Sequence, residues 1–414
     1  MVIWKLYTME AVYERCCGID VHKRIIVATM RKGRHIETRQ FGTYTSNLRE
    51  LSAWLKESGC QMVAMESTGV YWKPLYNIFD LEGIHAMVVN ARHMKAVPGR
   101  KTDVKDSEWI ADLLQHGLLK ASFIPDRDQR EYRDLTRYRK SRVEERAREI
   151  NRLDKILESA NIKLSSAITN LLSASGLRYL DLVTGEGEIT REAVAAAYDT
   201  RLKADVEEIY KTLQGATSPV QKLLIKEILR VIREQTAQIE RIEEMINRHS
   251  EETYQAAARE LETIPGIGQR SAQQILAEIG TDMSRFPSAG HLCSWAGLCP
   301  GNNESAGKRK SGRINHGNKT LKATLVECAH ASLRNKNCYF CAQYNRLSIR
   351  RGGKRALIAV AHSMLIAIYH VLCGEPYHDL GGDYYSQFNR ERKIAGHLQK
   401  LEKLGWTPPV PAAN

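Results

Sequence analysis

Four acidic residues in the first quarter of the 414-residue chain have the types and spacing of a metal-ligand set: Asp20, Glu66, Asp103 and Asp106. Asp20 sits inside the apolar run Cys17-Gly18-Ile19-Asp20-Val21, and Glu66 closes a second one, Met62-Val63-Ala64-Met65-Glu66. Asp103 and Asp106 open a helical stretch and project from one of its faces. A charge within a strand is costly unless something compensates it, and clustered carboxylates repel one another until cations sit between them. Two Mg²⁺ ions about 4 Å apart are the usual compensation, and they suit in-line displacement at phosphorus. Singly, most of the four have plainer roles: Asp103 as a helix N-cap, Asp106 as its capping partner, Glu66 as a sheet-end charge. Asp20 is the hardest to explain in this way, since a strand interior gains nothing from a lone carboxylate; any one alone reads as structural, and the four in this order point to function. His22 and Lys23 follow the first carboxylate closely.

A second group lies near position 305. Between positions 300 and 322 stand six basic residues, Lys308, Arg309, Lys310 and Arg313 among them, against one acid, Glu304. Small residues and cations around a hydroxyl suit close approach to a phosphodiester. The cations would offset charge on a pentavalent phosphorus, and a serine alkoxide is a candidate attacking group. On spacing alone Ser305 and Ser311 are equal candidates, and a serine here serves as readily as a turn residue or passive phosphate contact. Upstream, Ile264-Pro265-Gly266-Ile267-Gly268 precedes a helix through Ala272, Ile275, Leu276 and Ile279, the pattern of a helix-hairpin-helix. Gly266 and Gly268 would let the backbone approach a phosphate, whereas the plain alternative is a turn between two packed helices.

The elements that must hold the carboxylates alternate over residues 16–124. Strands are predicted at 25–30 and 36–41 with Lys32-Gly33 as the turn, then a helix capped by Thr45 or Ser46 and ended by Gly59. The Glu66 strand, a helix over 71–81 and a strand over 85–89 follow. The order β-β-β-α-β-α-β-α is that of a ribonuclease-H-like sheet. A doubly wound nucleotide-binding fold would want Gly-x-Gly-x-x-Gly after the first strand, and that motif is absent.

Residues 127–256 are read as mostly helical. A helix over 127–155 carries 11 Lys/Arg against 7 Asp/Glu, with Arg130, Arg133, Arg137 and Lys140 on one face as nucleic-acid contacts or as a solvated flank. Ile225, Ile228, Ile232, Gln235, Ile239, Ile242 and Ile246 repeat at three- and four-residue steps, an a/d seam expected to bring protomers together as a coiled coil. Length implies two or three domains. The formal charge of +13 implies a polyanionic partner, with a merely solvated basic surface as the bland alternative. Nine scattered cysteines without a secretory signal suit a reduced cytosol, and Cys338-x-x-Cys341 lacks the second pair a zinc site needs. The apolar stretch 356–373 contains His362, Ser363 and His370 and is read as a buried helix, so no membrane association is expected.

Together these segments resemble the DEDD-type insertion-sequence transposases, the group that includes Piv-type DNA invertases and bridge-RNA-guided recombinases. The resemblance runs through Gly18-Ile19-Asp20-Val21-His22-Lys23, Met65-Glu66-Ser67-Thr68-Gly69-Val70-Tyr71-Trp72 and Lys101-Thr102-Asp103-Val104-Lys105-Asp106. It continues with Pro265-Gly266-Ile267-Gly268 and the Gly297-Leu298-x-Pro300 … Ser305-x-Gly307-Lys308 region, covering nearly the whole chain. It implies a RuvC-like domain in which Asp20, Glu66, Asp103 and Asp106 bind Mg²⁺, with Mn²⁺ as a substitute. It also implies that Ser305 attacks DNA to form a phosphoserine link, and that a noncoding bridge RNA pairs with target and donor DNA. Ala306 departs from the family's frequent glycine, and the middle helical segment is long, so no RNA contact carries over there.

The expected fold is therefore α/β plus α. A RuvC-like domain (1–126) precedes a helical coiled-coil region (127–256), a mainly helical transposase domain opened by the helix-hairpin-helix (257–385) and a tail (386–414). The expected protein is a cytoplasmic, nucleoid-associated homodimer or homotetramer. Two other functions compete: a junction-resolving nuclease using only the carboxylates, and a non-catalytic nucleic-acid-binding protein.

Overall fold

The computed structural model describes residues 11–67, 69–90, 106–301, 303–305, 308–311, 313–314, 316–387 and 390–406. It divides into two compact units, residues 1–127 and 128–414.

The first unit is built on a five-stranded sheet of order β3-β2-β1-β4-β5. β1 (Arg15–Val21), β2 (Ile25–Lys32) and β3 (His35–Gly42) form an antiparallel meander, and β4 (Met62–Glu66) and β5 (Ala86–Val89) add parallel strands beyond β1. Gly33 takes φ +58° in the tight β2–β3 turn, the conformation a two-residue hairpin loop asks of glycine. The central strands are apolar on both faces because helices cover both. Cys17, Ile19, Val21, Val63 and Met65 pack with Leu51, Trp54 and Leu55 of α1 (Thr45–Glu57) and Leu75 and Phe79 of α2 (Trp72–Leu81). Cys16, Ala64 and Val89 face the other way, onto Ile110, Leu113 and Leu114 of α3 (Asp106–Gln115). The α1 boundary differs slightly from expectation: the cap is Tyr44, without a side-chain cap bond, and Thr45 is already helical.

Among the described residues the second unit is helical apart from one small hairpin. α4 (Arg127–Ser159) is followed by α5 (Leu164–Ala167), α6 (Ala174–Thr184), α7 (Arg191–Ala196) and α8 (Val206–Thr212). Ser173, Thr190 and Asp205 cap α6, α7 and α8 with their side-chain oxygens. α9 (Pro219–Thr253) then returns antiparallel to α4. Gln221 donates to Ser159 (3.1 Å), Arg146 to Thr236 (3.2 Å), and His249 meets Asp128 (3.3 Å), which fixes the direction.

This pairing corrects the expected role of the isoleucine seam. Ile225, Ile228 and Ile232 pack in one core with Leu153, Leu157, Tyr179, Leu180 and Val183 of the same chain. Ile239, Ile242 and Ile246 are buried as well. The intervening short helices supply apolar groups that close the seam over Ile225–Ile232, so that part of it is not left open for a second protomer.

The remaining helices are α10 (Gln255–Glu262), α11 (Gln269–Ile279), α12 (Ala289–Ala296), α13 (Lys319–Ser332), α14 (Tyr339–Arg351), α15 (Gly353–Leu372), α16 (Tyr384–Gln387) and α17 (Arg390–Lys403). The strands β6 (Asn303–Ser305) and β7 (Lys308–Ser311) form the hairpin between α12 and α13. Among the described residues α15 is the one helix long and apolar enough to cross a membrane. Its Ala356, Val360, Ala361, Met364, Leu365 and Ile368 are nonetheless fully buried, packed where α15 meets α12, α13 and α14.

Candidate active site

Asp20 and Glu66 reach one end of the sheet together. In the parallel β1–β4 register Ile19 lies opposite Met65, and the next residue along each strand is a carboxylate. Both follow residues on the face that α3 covers, Gly18 and Ala64. Asp106 is the first residue of α3 and is exposed.

α3 reaches this position because β1 lacks a side chain at Gly18. A Cβ there would lie 2.2 Å from the Ala111 nitrogen and 2.3 Å from the Ser107 carbonyl oxygen, so only glycine admits the helix backbone this closely. Thr29 and Ser107 share a hydrogen bond of 2.8 Å, fixing the helix beside Asp106, and the Cys16 thiol donates to the Ala111 carbonyl oxygen (3.7 Å). Arg31 pairs with Asp112 further along. Gly18, Thr29 and Ser107 were not singled out from the sequence. A glycine inside an otherwise apolar strand, two residues before a carboxylate, is the signal that marked the close approach.

The carboxylates sense one another. Burial raises the Asp20 carboxyl above its ordinary value; Asp106 and Glu66 add to the rise, and His22, 2.9 Å away from Nε2 to Oδ2, opposes it. This is a half-buried, mutually repelling set, and oxygen-only donors of that kind suit a hard divalent cation. Among the described residues no three His, Cys, Asp or Glu side chains are drawn together closely enough to cage an ion. Asp103, the fourth expected ligand, lies outside the described residues. Cysteine is no rival nucleophile in this unit, because burial pushes Cys16 up to about 11 and Cys60 up to about 12.

In the second unit Ser305 ends β6 and pairs across the hairpin with Lys308, while Glu304 pairs with Arg309. Lys310 continues β7, and Ser311 lies opposite Asn303. At the hairpin base Gly301 donates to the Arg313 carbonyl oxygen (2.8 Å), and Pro300 bridges to Ile314. Gly317 sits against the Gly297 backbone, where a Cβ would come within 2.3 Å of its nitrogen. Arg313 is exposed.

The second unit also holds a buried carboxylate that sequence reasoning missed. Glu278 of α11 has a fully buried side chain. Arg137 grips it with two hydrogen bonds (2.7 and 2.8 Å), and Arg133 lies 3.3 Å from it. Asn318 donates to the same carboxylate (2.6 Å) while capping α13. Arg133 also donates to the Ala277 and Glu278 carbonyl oxygens, and burial lowers its pKa to about 10. Lys140 pairs with Glu327 at 3.0 Å. Of the expected basic face of α4, Arg130 and Arg133 are partly buried, and Arg133 and Arg137 both pair with Glu278, while the Arg137 side chain remains 42% exposed.

The two glycines of the hairpin motif also part company. Gly266 has φ +92° and packs on α13, where a Cβ would sit 2.3 Å from the Cys328 carbonyl oxygen and 2.7 Å from the Ser332 nitrogen. Protein backbone, not nucleic acid, accounts for that glycine. Gly268 faces open space and forms the N-cap of α11.

Two family models match the chain. The DEDD transposase model of IS110 type covers residues 17–162, which include Asp20, Glu66, Asp103 and Asp106. The model described as the transposase IS116/IS110/IS902 family covers residues 258–345, which include the Ser305 hairpin and Glu278. No curated protein matches the chain. With Asp20 and Glu66 side by side at one sheet end in the first matched segment and the Ser305 hairpin in the second, the chain belongs to the DEDD-type IS110-family transposases.

Proposed function

We propose that this chain is the transposase of an insertion sequence that cuts and rejoins DNA strands by phosphoryl transfer. On this reading a RuvC-like first unit holds Mg²⁺, or Mn²⁺ in its place, through Asp20, Glu66, Asp103 and Asp106, and Ser305 is the nucleophile. The observation that carries it is the placement of Asp20 and Glu66 side by side at one end of β1 and β4, with Asp106 opening the helix packed on that face; burial first, then Asp106 and Glu66, raise the Asp20 carboxyl. A site that costs free energy when its ligands are all ionised is a site prepared for cations.

Divalent cations bound there would supply charge neutralisation at the scissile phosphate. The remaining chemistry belongs to side chains. Ser305 Oγ gives up its proton and bonds to phosphorus, the bond from phosphorus to one deoxyribose oxygen breaks, and that oxygen takes up a proton to leave as a hydroxyl. Lys308, Arg309, Lys310 and Arg313 offset charge on the phosphoryl oxygens. Attack by the hydroxyl of another strand then releases the serine, so bond energy is conserved and no hydrolysis occurs. A nuclease that merely activates water has no use for such a serine.

Strand exchange joins two duplexes, so the working form is proposed as a homodimer or homotetramer, with an interface other than the 225–232 part of the seam. An element-encoded bridge RNA is proposed to choose the donor and target DNA, and RNA copurifying with the chain should be one discrete species. The decisive experiment is a denaturing gel of the full chain with end-labelled DNA containing a scissile site. Wild type should carry label covalently, and Ser305→Ala should not. Strand cutting that persists unchanged in Ser305→Ala would replace this reading with the junction-resolving nuclease. Rearrangement that persists in Asp20→Asn with Glu66→Gln would leave only a binding protein.

A further inference from the structure

Residues 328–374 contain no Asp or Glu but seven Lys and Arg. Four of the seven crowd the junction of two packed helices. Arg350 and Arg351 end α14, Gly352 turns the chain at φ +78°, and Lys354 and Arg355 lie in the first turn of α15. All four are exposed, and Ile349 beside them is 87% exposed.

Helix electrostatics accounts for only half of this cluster. Arg350 and Arg351 complement the negative end of the α14 dipole, but Lys354 and Arg355 sit at the positive end of α15, where cations are unfavourable. The first turn of α15 has no acidic residue and no side-chain cap to offset them. Some other exposed cations of this unit have partners: Lys163 with Glu158, Arg191 with Glu207, Arg201 with Asp199, and Arg230 with Glu227 and Glu234. Among the described residues Arg350, Arg351, Lys354 and Arg355 form no ion pair. Four like charges so placed repel one another until an external anion arrives.

We infer that the α14–α15 corner is a contact surface for the phosphodiester backbone of duplex DNA. The inference rests on the reading that the chain acts on DNA, but it concerns residues beyond both matched segments, which end at 162 and 345. Arginine forks take phosphate oxygens in pairs, and a lysine adds a point charge. Four such contacts track a backbone without reading its sequence.

The test is fluorescence anisotropy of the full chain with an arbitrary-sequence duplex, between about 50 and 200 mM salt. The variant carries Arg350→Ala, Arg351→Ala, Lys354→Ala and Arg355→Ala. A control carries Lys163→Ala, Arg191→Ala, Arg201→Ala and Arg230→Ala, removing equal charge where each cation already has a partner. The slope of log affinity against log salt should shrink by roughly 3 to 4 in the corner variant, following about 0.9 per phosphate contact. The control should keep the wild-type slope, and both should keep wild-type circular dichroism. An unchanged slope in the corner variant overturns the inference while leaving the transposase reading intact. So does a loss confined to single-stranded RNA or to anionic lipid vesicles. A wild type that shows no salt-dependent duplex binding overturns the DNA reading, and the corner's role falls with it.

Discussion

Replacing Gly18 by alanine should damage the reaction more than it damages the fold. The added Cβ would lie 2.2 Å from the Ala111 nitrogen and 2.3 Å from the Ser107 carbonyl oxygen, where ordinary contact begins near 3.4 Å. Both obstacles are backbone atoms, so no rotamer change relieves the clash and α3 must retreat by about 1 Å. Overpacking of this kind costs roughly 1–3 kcal/mol, and loss of the Thr29–Ser107 hydrogen bond adds about 1 kcal/mol. The reaction should suffer further, because Asp106 begins the displaced helix while Asp20 stays on the strand. Misplacement by about 1 Å is worth on the order of 10²-fold in rate. The assay pairs urea unfolding with strand-cleavage rate per folded molecule. Leu51→Ala is the comparison: Leu51 is fully buried on the opposite sheet face, so its truncation should cost about 2–5 kcal/mol and spare the rate. A Gly18→Ala enzyme that cleaves at the wild-type rate, or a Leu51→Ala enzyme equally impaired, would refute the claim that Gly18 sets the carboxylate spacing.

Other outcomes follow from the same structure. The raised Asp20 carboxyl binds its proton more tightly in the folded state, so its contribution to stability is present below 3.8 and lost as pH rises through the folded value. In chelator, Asp20→Asn should therefore flatten that loss and be more stable than wild type at neutral pH; parallel urea-stability profiles would contradict this. Glu278→Ala leaves Arg133 and Arg137 without their buried counter-ion and should destabilise by about 3–5 kcal/mol in denaturant melts. Ile225→Ala should cost about 2–5 kcal/mol without changing the sedimentation coefficient, since Ile225 packs within its own chain. A shift to smaller species would restore the seam as an interface.

The first unit was largely legible because its signals are local. Apolar runs ending in carboxylates gave β1 and β4, and Lys32-Gly33 marked the β2–β3 turn. The 3.6-residue periodicity likewise found the long helices α4 and α9. Periodicity shows that a face is apolar, not what covers it, which is why the isoleucine seam was assigned to a partner protomer. The helices that pack on its Ile225–Ile232 part begin at caps present in the sequence, Ser173, Thr190 and Asp205. The pairing of the basic stripe of α4 was out of reach for a related reason. Its counter-charge, Glu278, lies 141 residues beyond Arg137, and no local pattern links them. Gly266 was read as a close-approach glycine, but the backbone it approaches belongs to α13.

The central claim, that Asp20, Glu66, Asp103 and Asp106 act as one cation cage, is tested most directly by Mn²⁺ titration of the full chain followed by electron paramagnetic resonance. Wild type should remove Mn²⁺ from the free-ion signal saturably, and Asp20→Asn combined with Glu66→Gln should abolish that uptake while leaving the circular dichroism spectrum unchanged. Equal uptake by the folded double variant and wild type would show that these carboxylates hold no ion.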